Sequence, residues 1–254
     1  MKTRIPSVIC LLLCALSPLQ AWEVDSATVL ARLPGGAEVR EVQLAGSGQS
    51  ARMTAIVFST KTYEFRVIDS PAPGTSRLAE TLRAAGCVAG VNGGYFHENY
   101  RPVGLLVANE KRINAQEKAK LLSGIFAVGP TRREIVRSSA FDKSRVVTQA
   151  IQCGPMLVEK GVPVAGLNAE RIARRTVVAT DGRGHWALVY MTSVSLADAA
   201  KILCAKGALA EWTPTTALNL DGGRSSGLWA TGSDGDISLP EFTNVRNFLG
   251  IVPK

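Results

Sequence analysis

Histidine is scarce in this chain, and its placement excludes two kinds of hydrolytic site. The 254 residues contain two histidines, His97 and His185. Gly223–Gly227 reads GRSSG and fits the G-x-S-x-G pattern of a nucleophilic serine, but in that fold the catalytic acid and histidine follow the serine. Both histidines precede it here, so the usual α/β-hydrolase order is excluded. His97-Glu98 does not begin a zinc-binding H-E-x-x-H motif either, because position 101 is arginine.

Paired cysteines and clustered basic charge are also lacking. The five cysteines form no C-x-x-C pair, so the spacing gives no support to a zinc or redox site. Lysine and arginine number 29 against 21 acidic residues, yet no basic run exceeds two residues, and a nucleic-acid partner is not expected. Such dispersed positive charge is compatible with an anionic substrate or a cell-envelope surface. No phosphate-binding G-x-x-x-x-G-K-[ST] motif occurs.

One long apolar run lies near the start of the chain. VICLLLCAL, residues 8–16, follows two basic residues and precedes a small residue, Ala21, as in a secretory signal peptide. The run is too short to span a bilayer, and no later segment approaches about 20 apolar residues. We therefore expect residues 1–21 to be a signal peptide and residues 22–254 to form one domain that is periplasmic or secreted.

The leader also limits what the cysteines can do. Cys14 lacks the small residue usual before a lipidated cysteine, so a soluble exported form is favoured over a lipoprotein. Loss of the leader would leave Cys87, Cys153 and Cys204, which allow at most one disulfide. Small buried thiols with or without one bridge remain the simplest interpretation.

Most of the remaining chain reads as short strands joined by tight turns. Apolar runs alternate with turns that favour hairpins. Hairpins are predicted at Lys61-Thr62, Asn109-Glu110, Gly129-Pro130, Lys160-Gly161 and residues 181–184. Because strands dominate and the few helices do not alternate regularly with them, the pattern predicts a single α+β domain with mixed or antiparallel twisted sheets.

Two helices interrupt this pattern. One is predicted over Ser76–Ala85 and stops at Gly86. The other begins after Ser195, where Asp198 completes a capping box, and ends near Gly207. A short apolar strand and a polar glycine pair follow each helix, which suggests an internal duplication.

The two glycine pairs mark candidate binding turns. Asn92-Gly93-Gly94 and Asp221-Gly222-Gly223 each end a short apolar strand, and we expect them in one pocket at the same end of adjacent central strands. Glycine permits close approach of a ligand to the backbone, and successive free amides form a concavity for an anion. Two ordinary type I′ turns are the alternative. Arg174-Arg175, before the strand RTVVAT, either ends that strand in solvent or points inward at an anion.

Four motifs carry a resemblance to a known family. VNGGYF, CGPMLVEKGVPV, RRTVVATDG and LNLDGGRSS, in this order, resemble the phosphodiester glycosidase family from about Cys87 to the C-terminus. The resemblance implies that Asp221 and Arg175 are catalytic. Arg224 stands where the family usually has a small residue, so substrate preference is expected to differ. The implied substrate-binding residues are Asn92, Gly93, Gly94, Gly154, Thr176, Gly222, Gly223, Arg224 and Ser225.

The implied activity is hydrolysis of a sugar-1-phosphodiester, and the implied partner is an anionic glycan. Cleavage at the anomeric carbon needs a carboxylate near an oxocarbenium-like centre, while arginine and backbone amides stabilise the departing phosphate. Whether Asp221 is nucleophile, base or electrostatic stabiliser stays open. No cofactor is required, and a divalent metal and the oligomeric state stay open. Two alternatives remain: a non-catalytic anionic-glycan-binding envelope protein, and a hydrolase that uses Ser225 as nucleophile.

The first prediction concerns the leader. We expect the exported protein to begin near Trp22, because the charged start and short apolar run are typical of a cleaved signal. N-terminal sequencing of the exported form checks this. A retained apolar segment, or a lipid on Cys14, contradicts it.

Overall fold

This computed structural model describes residues 21–254 except Ser47, Pro73, Thr75 and Ser76, so residues 1–20 of the expected signal peptide lie outside the described part. The described residues form eighteen strands and two α-helices. The strands, in chain order, are β1 (Glu23–Arg32), β2 (Glu38–Gly46), β3 (Gln49–Ser59), β4 (Tyr63–Asp69), β5 (Ala89–Asn92), β6 (Leu106–Ala108), β7 (Lys111–Asn114), β8 (Gly124–Val128), β9 (Arg133–Arg137), β10 (Gln149–Cys153), β11 (Met156–Glu159), β12 (Val162–Pro163), β13 (Ala173–Thr180), β14 (His185–Val194), β15 (Thr216–Asn219), β16 (Leu228–Ala230), β17 (Ile237–Leu239) and β18 (Asn247–Pro253).

The strands form three antiparallel sheets. The large sheet has eight strands in the order β1-β2-β3-β14-β13-β15-β11-β12. The second sheet has the order β7-β6-β10-β8-β9, and the third has the order β17-β16-β5-β18-β4. The strand-rich α+β class predicted from the sequence is confirmed.

Four of the five predicted hairpins form. The pairs β6–β7, β8–β9, β11–β12 and β13–β14 are antiparallel neighbours joined at the expected turns. The hairpin at Lys61-Thr62 is wrong, because β3 pairs with β2 and β14 whereas β4 pairs with β18. The chain turns there but passes from the large sheet to the third. Phe58 and Phe65 then face each other across the two sheets, with ring centroids 5.3 Å apart.

Both helices are short. Helix α1 spans Leu78–Ala84 and ends before Gly86, which has the expected positive φ of 72°. Its predicted start at Ser76 lies outside the described residues. Helix α2 spans Leu196–Cys204, and the Ser195 hydroxyl accepts a hydrogen bond from the backbone amide of Asp198 at 3.0 Å, as predicted.

The C-terminal end of α2 comes earlier than the sequence indicates. The helix stops at Cys204 instead of near Gly207, because Ala205 takes an extended backbone conformation. Within the described residues, no helix combines the length and apolar character needed to cross a bilayer.

An aromatic cluster joins the three sheets in the core. Phe65 comes from the third sheet, Phe126 from the second and Trp186 from the large sheet. Their ring centroids lie 4.8 Å (Phe65–Phe126), 4.9 Å (Phe65–Trp186) and 5.8 Å (Phe126–Trp186) apart, all edge to face. Edge-to-face packing of buried rings adds to the stabilisation from buried area. The cluster therefore fixes how the sheets, and the loops at their ends, sit relative to one another.

Phe126→Ala is expected to lower the free energy of unfolding by about 3–5 kcal/mol, because it opens a cavity where the three sheets meet. Equilibrium denaturant unfolding followed by circular dichroism measures the change. Val146→Ala is the control, since that side chain is 72% exposed and its loss should cost less than about 0.5 kcal/mol. Equal effects of the two substitutions would show that the aromatic cluster does not hold the sheets together.

Candidate active site

The two glycine turns meet, although their strands belong to different sheets. β5 ends at Asn92 in the third sheet, and β15 ends at Asn219 in the large sheet. The backbone amide of Asp221 donates to the carbonyl of Gly93 at 3.0 Å. The expectation that β5 and β15 are adjacent strands is therefore wrong, because short buried strands carry no local signal for their pairing partners. The sequence context correctly anticipated that the turns lie together.

Asn92 joins four parts of the chain through its side chain. Its Nδ2 donates to the carbonyl of Asp221 at 2.7 Å and to that of Gly93 at 3.4 Å. Its Oδ1 accepts from the Thr176 hydroxyl at 2.7 Å and from the Gly227 amide at 3.1 Å. A side-chain amide offers two donors and two acceptor sites, so this group is fully used. The side chains of Asn92 and Thr176 therefore hold the two turns in position.

The first glycine turn has no free amides for an anion. Gly93 N–H donates to the carbonyl of Asn247 at 2.8 Å, and Gly94 N–H donates to Asn247 Oδ1 at 2.7 Å. A Cβ atom at Gly93 would lie 2.0 Å from that Oδ1. Glycine is needed here for close packing against Asn247, a residue that sequence reasoning missed. An asparagine in a buried strand is the signal that could have found it.

The second glycine turn is the open one. Gly223 has a φ of 66°, and a Cβ atom placed on it would meet nothing within 4 Å. The backbone N–H groups of Gly223 and Arg224 donate to no acceptor among the described residues. The turn therefore leaves two backbone amide donors unused among the described residues and has open space beside Gly223. Arg224 itself turns away, and its Nη2 donates to the carbonyl of Phe242 at 2.8 Å.

Arg175 is a buried cation that points at this turn. Its side chain is held by the Val194 carbonyl at 3.0 Å from Nε and by the Arg171 carbonyl at 2.5 Å from Nη2. The remaining nitrogen, Nη1, lies 3.9 Å from where a Cβ of Gly222 would be. None of the ion pairs among the described residues includes Arg175.

The surroundings of Arg175 penalise its charge. Burial, reinforced by Arg171, lowers the pKa of its guanidinium. A buried cation without a carboxylate partner is an attractive place for a bound anion. Its neighbour Arg174 contacts the backbone of the same turn: Nε donates to the Gly223 carbonyl at 2.8 Å, and the guanidinium stacks 3.9 Å from the ring centroid of Phe242. Arg175 therefore points into the protein and does not end its strand in solvent.

The Asp221 carboxyl lies in a desolvated environment. Burial raises its pKa from the ordinary 3.8 to about 6, against hydrogen bonds from the Ser225 side chain and the Gly222 backbone that lower it. Ser225 is itself buried. A carboxylate with this pKa is ionised at neutral pH and can exchange a proton under mildly acidic conditions.

Tyr95 and Asn219 complete the surroundings, and neither was predicted. Tyr95 donates from its hydroxyl to the Gly154 carbonyl at 2.6 Å. Asn219 Nδ2 donates to the same carbonyl at 2.9 Å and to the Tyr95 oxygen at 3.3 Å. Burial raises the pKa of the Tyr95 hydroxyl, and the nearby charges of Cys153 and Asp221 add to the effect. Gly154 thus lies beside the turns, and the polar Asn219 inside an apolar strand is the signal that was overlooked.

Neither a disulfide nor a cluster of metal ligands occurs among the described residues. Cys87, Cys153 and Cys204 are free thiols. The described residues contain no group of three or more His, Cys, Asp or Glu side chains arranged to hold a metal ion.

Asp221→Asn is expected to stabilise the protein at neutral pH. Between about pH 4 and 6 the folded state binds more protons than the unfolded state, so the wild type loses stability as pH rises through this window. The loss corresponds to about 3 kcal/mol at most and persists at higher pH. The free energy of unfolding of the variant should therefore be about 1–3 kcal/mol higher than that of the wild type near pH 8 and equal to it near pH 4, as measured by denaturant titration. Asp25→Asn, on an exposed position of β1, is the control and should show no such dependence.

Comparison with known proteins shows which family the chain belongs to. The family model described as phosphodiester glycosidase matches residues 85–252. Over 79 residues the chain is 37% identical to the uncharacterized protein YigE of Escherichia coli K12. That match covers 28% of this chain and 31% of YigE, so it spans about a third of that relative.

Two solved structures share the fold. A crystal structure of a hypothetical protein from Synechocystis superposes with a TM-score of 0.62 at 15% identity, covering 93% of this chain and 68% of that one. The zebrafish N-acetylglucosamine-1-phosphodiester alpha-N-acetylglucosaminidase catalytic domain, auto-inhibited by its pro-peptide, superposes with a TM-score of 0.61 at 16% identity, covering 94% and 85%. At these identities the likeness shows the fold alone. The family match covers more than half of the chain, and the chain therefore belongs to the phosphodiester glycosidase family.

Proposed function

We propose that the protein is an exported hydrolase that cleaves glycosyl-phosphodiester bonds in anionic glycans. Family membership supports a phosphodiester-glycosidase-like hydrolase. One observation carries the finer proposal: a carboxylate, Asp221, and an unpaired buried guanidinium, Arg175, converge on a turn with free amides and open space. The sequence pattern at residues 1–21 supports export.

The phosphate is expected to lie against the Asp221-Gly222-Gly223 turn. Arg175 Nη1 and the free amides of Gly223 and Arg224 are the unused donors at this turn. A phosphodiester carries one negative charge, and the departing phosphomonoester gains more as the bond breaks. Fixed donors in a desolvated site stabilise that developing charge without reorganising. Good leaving-group ability also reduces the need for a proton donor on that side.

The sugar is expected to lie against the Asp221 carboxylate. Cleavage at the anomeric carbon passes through a state with positive charge, which an ionised carboxylate on one face stabilises. Nucleophile, general base and electrostatic stabiliser are three roles for Asp221, and each requires the ionised form. With a pKa of about 6, Asp221 meets that requirement above mildly acidic pH.

The two alternative functions account less well for this geometry. A module that only binds an anionic glycan would gain affinity by replacing Asp221, because the buried carboxylate opposes both folding and the bound anion. A serine nucleophile usually takes a histidine as its base, whereas the group beside the Ser225 hydroxyl is the Asp221 carboxyl. His185 Nδ1 instead pairs with Asp181 at 2.6 Å, beyond the opposite end of β13 from Arg175.

The proposal predicts equal release of free sugar and phosphomonoester from sugar-1-phosphodiesters incubated with the purified protein. Asp221→Asn should lower kcat by 10²–10³ or more, because the variant keeps the shape but loses the charge. Arg175→Lys should weaken turnover of phosphodiesters and spare slow turnover of sugars with uncharged leaving groups, since lysine lacks the planar fork.

Ser225→Ala should raise the activation free energy by only about 0.5–1.5 kcal/mol. It should also move the acidic limb of the pH–rate profile to higher pH, because a hydrogen bond that lowers the Asp221 pKa is lost.

Controls separate these effects from folding. Asp25→Asn and Arg183→Lys change the same groups at exposed positions away from the turn and should leave the rates unchanged. If Ser225→Ala abolished turnover while Asp221→Asn kept most of it, the serine-nucleophile hypothesis would replace the glycosidase mechanism. Tight binding of phosphodiesters without release of either product would instead favour a binding module.

A further inference from the structure

A basic cleft of about 430 Å³ lies between two segments that flank strands β8 and β9 of the second sheet. One wall is the segment 116–123 that leads into β8, and the other is the segment 137–143 that follows β9. The lining residues are Gln116, Glu117, Lys118, Ala119, Lys120, Leu122, Ser123, Arg137, Ser138, Ser139, Phe141 and Lys143.

The lining of this cleft carries a net positive charge, because three lysines and Arg137 outnumber its one acidic residue, Glu117. Lys118, Lys120 and Lys143 are exposed and belong to no ion pair among the described residues. Glu117 is tied into the wall, where its Oε1 accepts from the Gly104 amide and from Asn114 Nδ2, both at 3.1 Å. The cleft thus holds three free ammonium groups.

The lysine-bearing wall is held in a fixed position. Gln152 is fully buried, and its Oε1 accepts from the Glu117 amide at 3.0 Å. Its Nε2 donates to the Glu117 carbonyl at 2.8 Å and to the Leu122 carbonyl at 3.3 Å. Leu122 is buried, whereas Phe141 is half-buried and leaves part of its apolar surface in the lining of the cleft. A sugar ring presents apolar C–H faces that suit such a surface.

The same wall reaches the candidate active site through Gly154. A Cβ atom on Gly154 would lie 2.1 Å from the Leu121 carbonyl oxygen and 2.9 Å from the Ser123 amide nitrogen. The Gly154 carbonyl in turn accepts from the hydroxyl of Tyr95, whose pKa the nearby charge of Asp221 helps to raise. Because Ser123 also lines the cleft, Gly154 connects the wall of the cleft to the residues around Asp221.

We propose that this cleft is a subsite for a second anionic group of the substrate, a phosphate carried by the glycan beyond the bond that is cleaved. The inference rests on the proposed function and specifies its substrate class: a glycan with repeated phosphates, in preference to a single sugar phosphodiester. Lysine suits the role, because its flexible stem places a point charge without demanding one geometry. Exposed contacts of this kind are screened by salt, so the preference is confined to low ionic strength.

The test compares a triple variant, Lys118→Gln, Lys120→Gln and Lys143→Gln, with a control that loses the same charge elsewhere. The control is Lys61→Gln, Lys111→Gln and Lys206→Gln, three exposed lysines outside the cleft. We expect the wild type and the control to prefer, by about tenfold in kcat/KM at low salt, an oligomer with three or more phosphodiester links over a single phosphodiester. The cleft variant should lose that preference and keep the wild-type kcat/KM on the single phosphodiester.

A binding measurement keeps the two proposals distinguishable. Inorganic polyphosphate should bind the wild type and the control alike and bind the cleft variant about tenfold more weakly at low salt. Equal affinities of the cleft variant and the control would overturn the subsite. Failure of the wild type to cleave any phosphodiester, with cleft-dependent polyphosphate binding intact, would overturn the proposed function and leave the anion site standing.

Discussion

The side-chain amide of Asn92 is the contact on which the site depends. Its four hydrogen bonds reach β13 through Thr176, both glycine turns, and the backbone of Gly227. Since every donor and acceptor is satisfied, any displacement of one partner leaves a buried polar group unpaired, which costs about 1–3 kcal/mol. The hydrogen bonds of Asn92 thus hold the open turn in place. The amides of Gly223 and Arg224 keep no partner among the described residues.

The electrostatics of the site run against the stability of the fold. Asp221 and Arg175 are both desolvated, and burial shifts the pKa of each toward its neutral form. None of the ion pairs among the described residues joins the two, and the guanidinium donates to the backbone carbonyls of Arg171 and Val194. Under the proposed function, a ligand that brings a negative group to one side and a developing positive centre to the other would compensate both charges.

Local signals in the sequence predicted some of this arrangement and not the rest. The Ser195 cap and the glycine-containing hairpins depend on neighbouring residues, so they could be predicted. The meeting of the two glycine turns followed from their matching contexts. Strand partners could not be predicted, because β5 and β15 are short apolar runs that fit any buried sheet. The role of Asn247 was also missed, since its partner Gly94 lies 153 positions away and no local pattern connects them.

That separation has a kinetic consequence. The contacts that define the site close very long loops, since Asn92 and Asp221 are 129 positions apart in sequence and Gly94 and Asn247 are 153 positions apart. Loop-closure entropy must be met before such contacts contribute, so folds dominated by them form slowly. The hairpins of the second sheet can assemble early from neighbouring residues, whereas the two glycine turns meet only when strands of the large sheet and of the third sheet come together. Partly folded chains would therefore hold ordered sheets and no competent site, and the gain of activity should trail the gain of secondary structure during refolding.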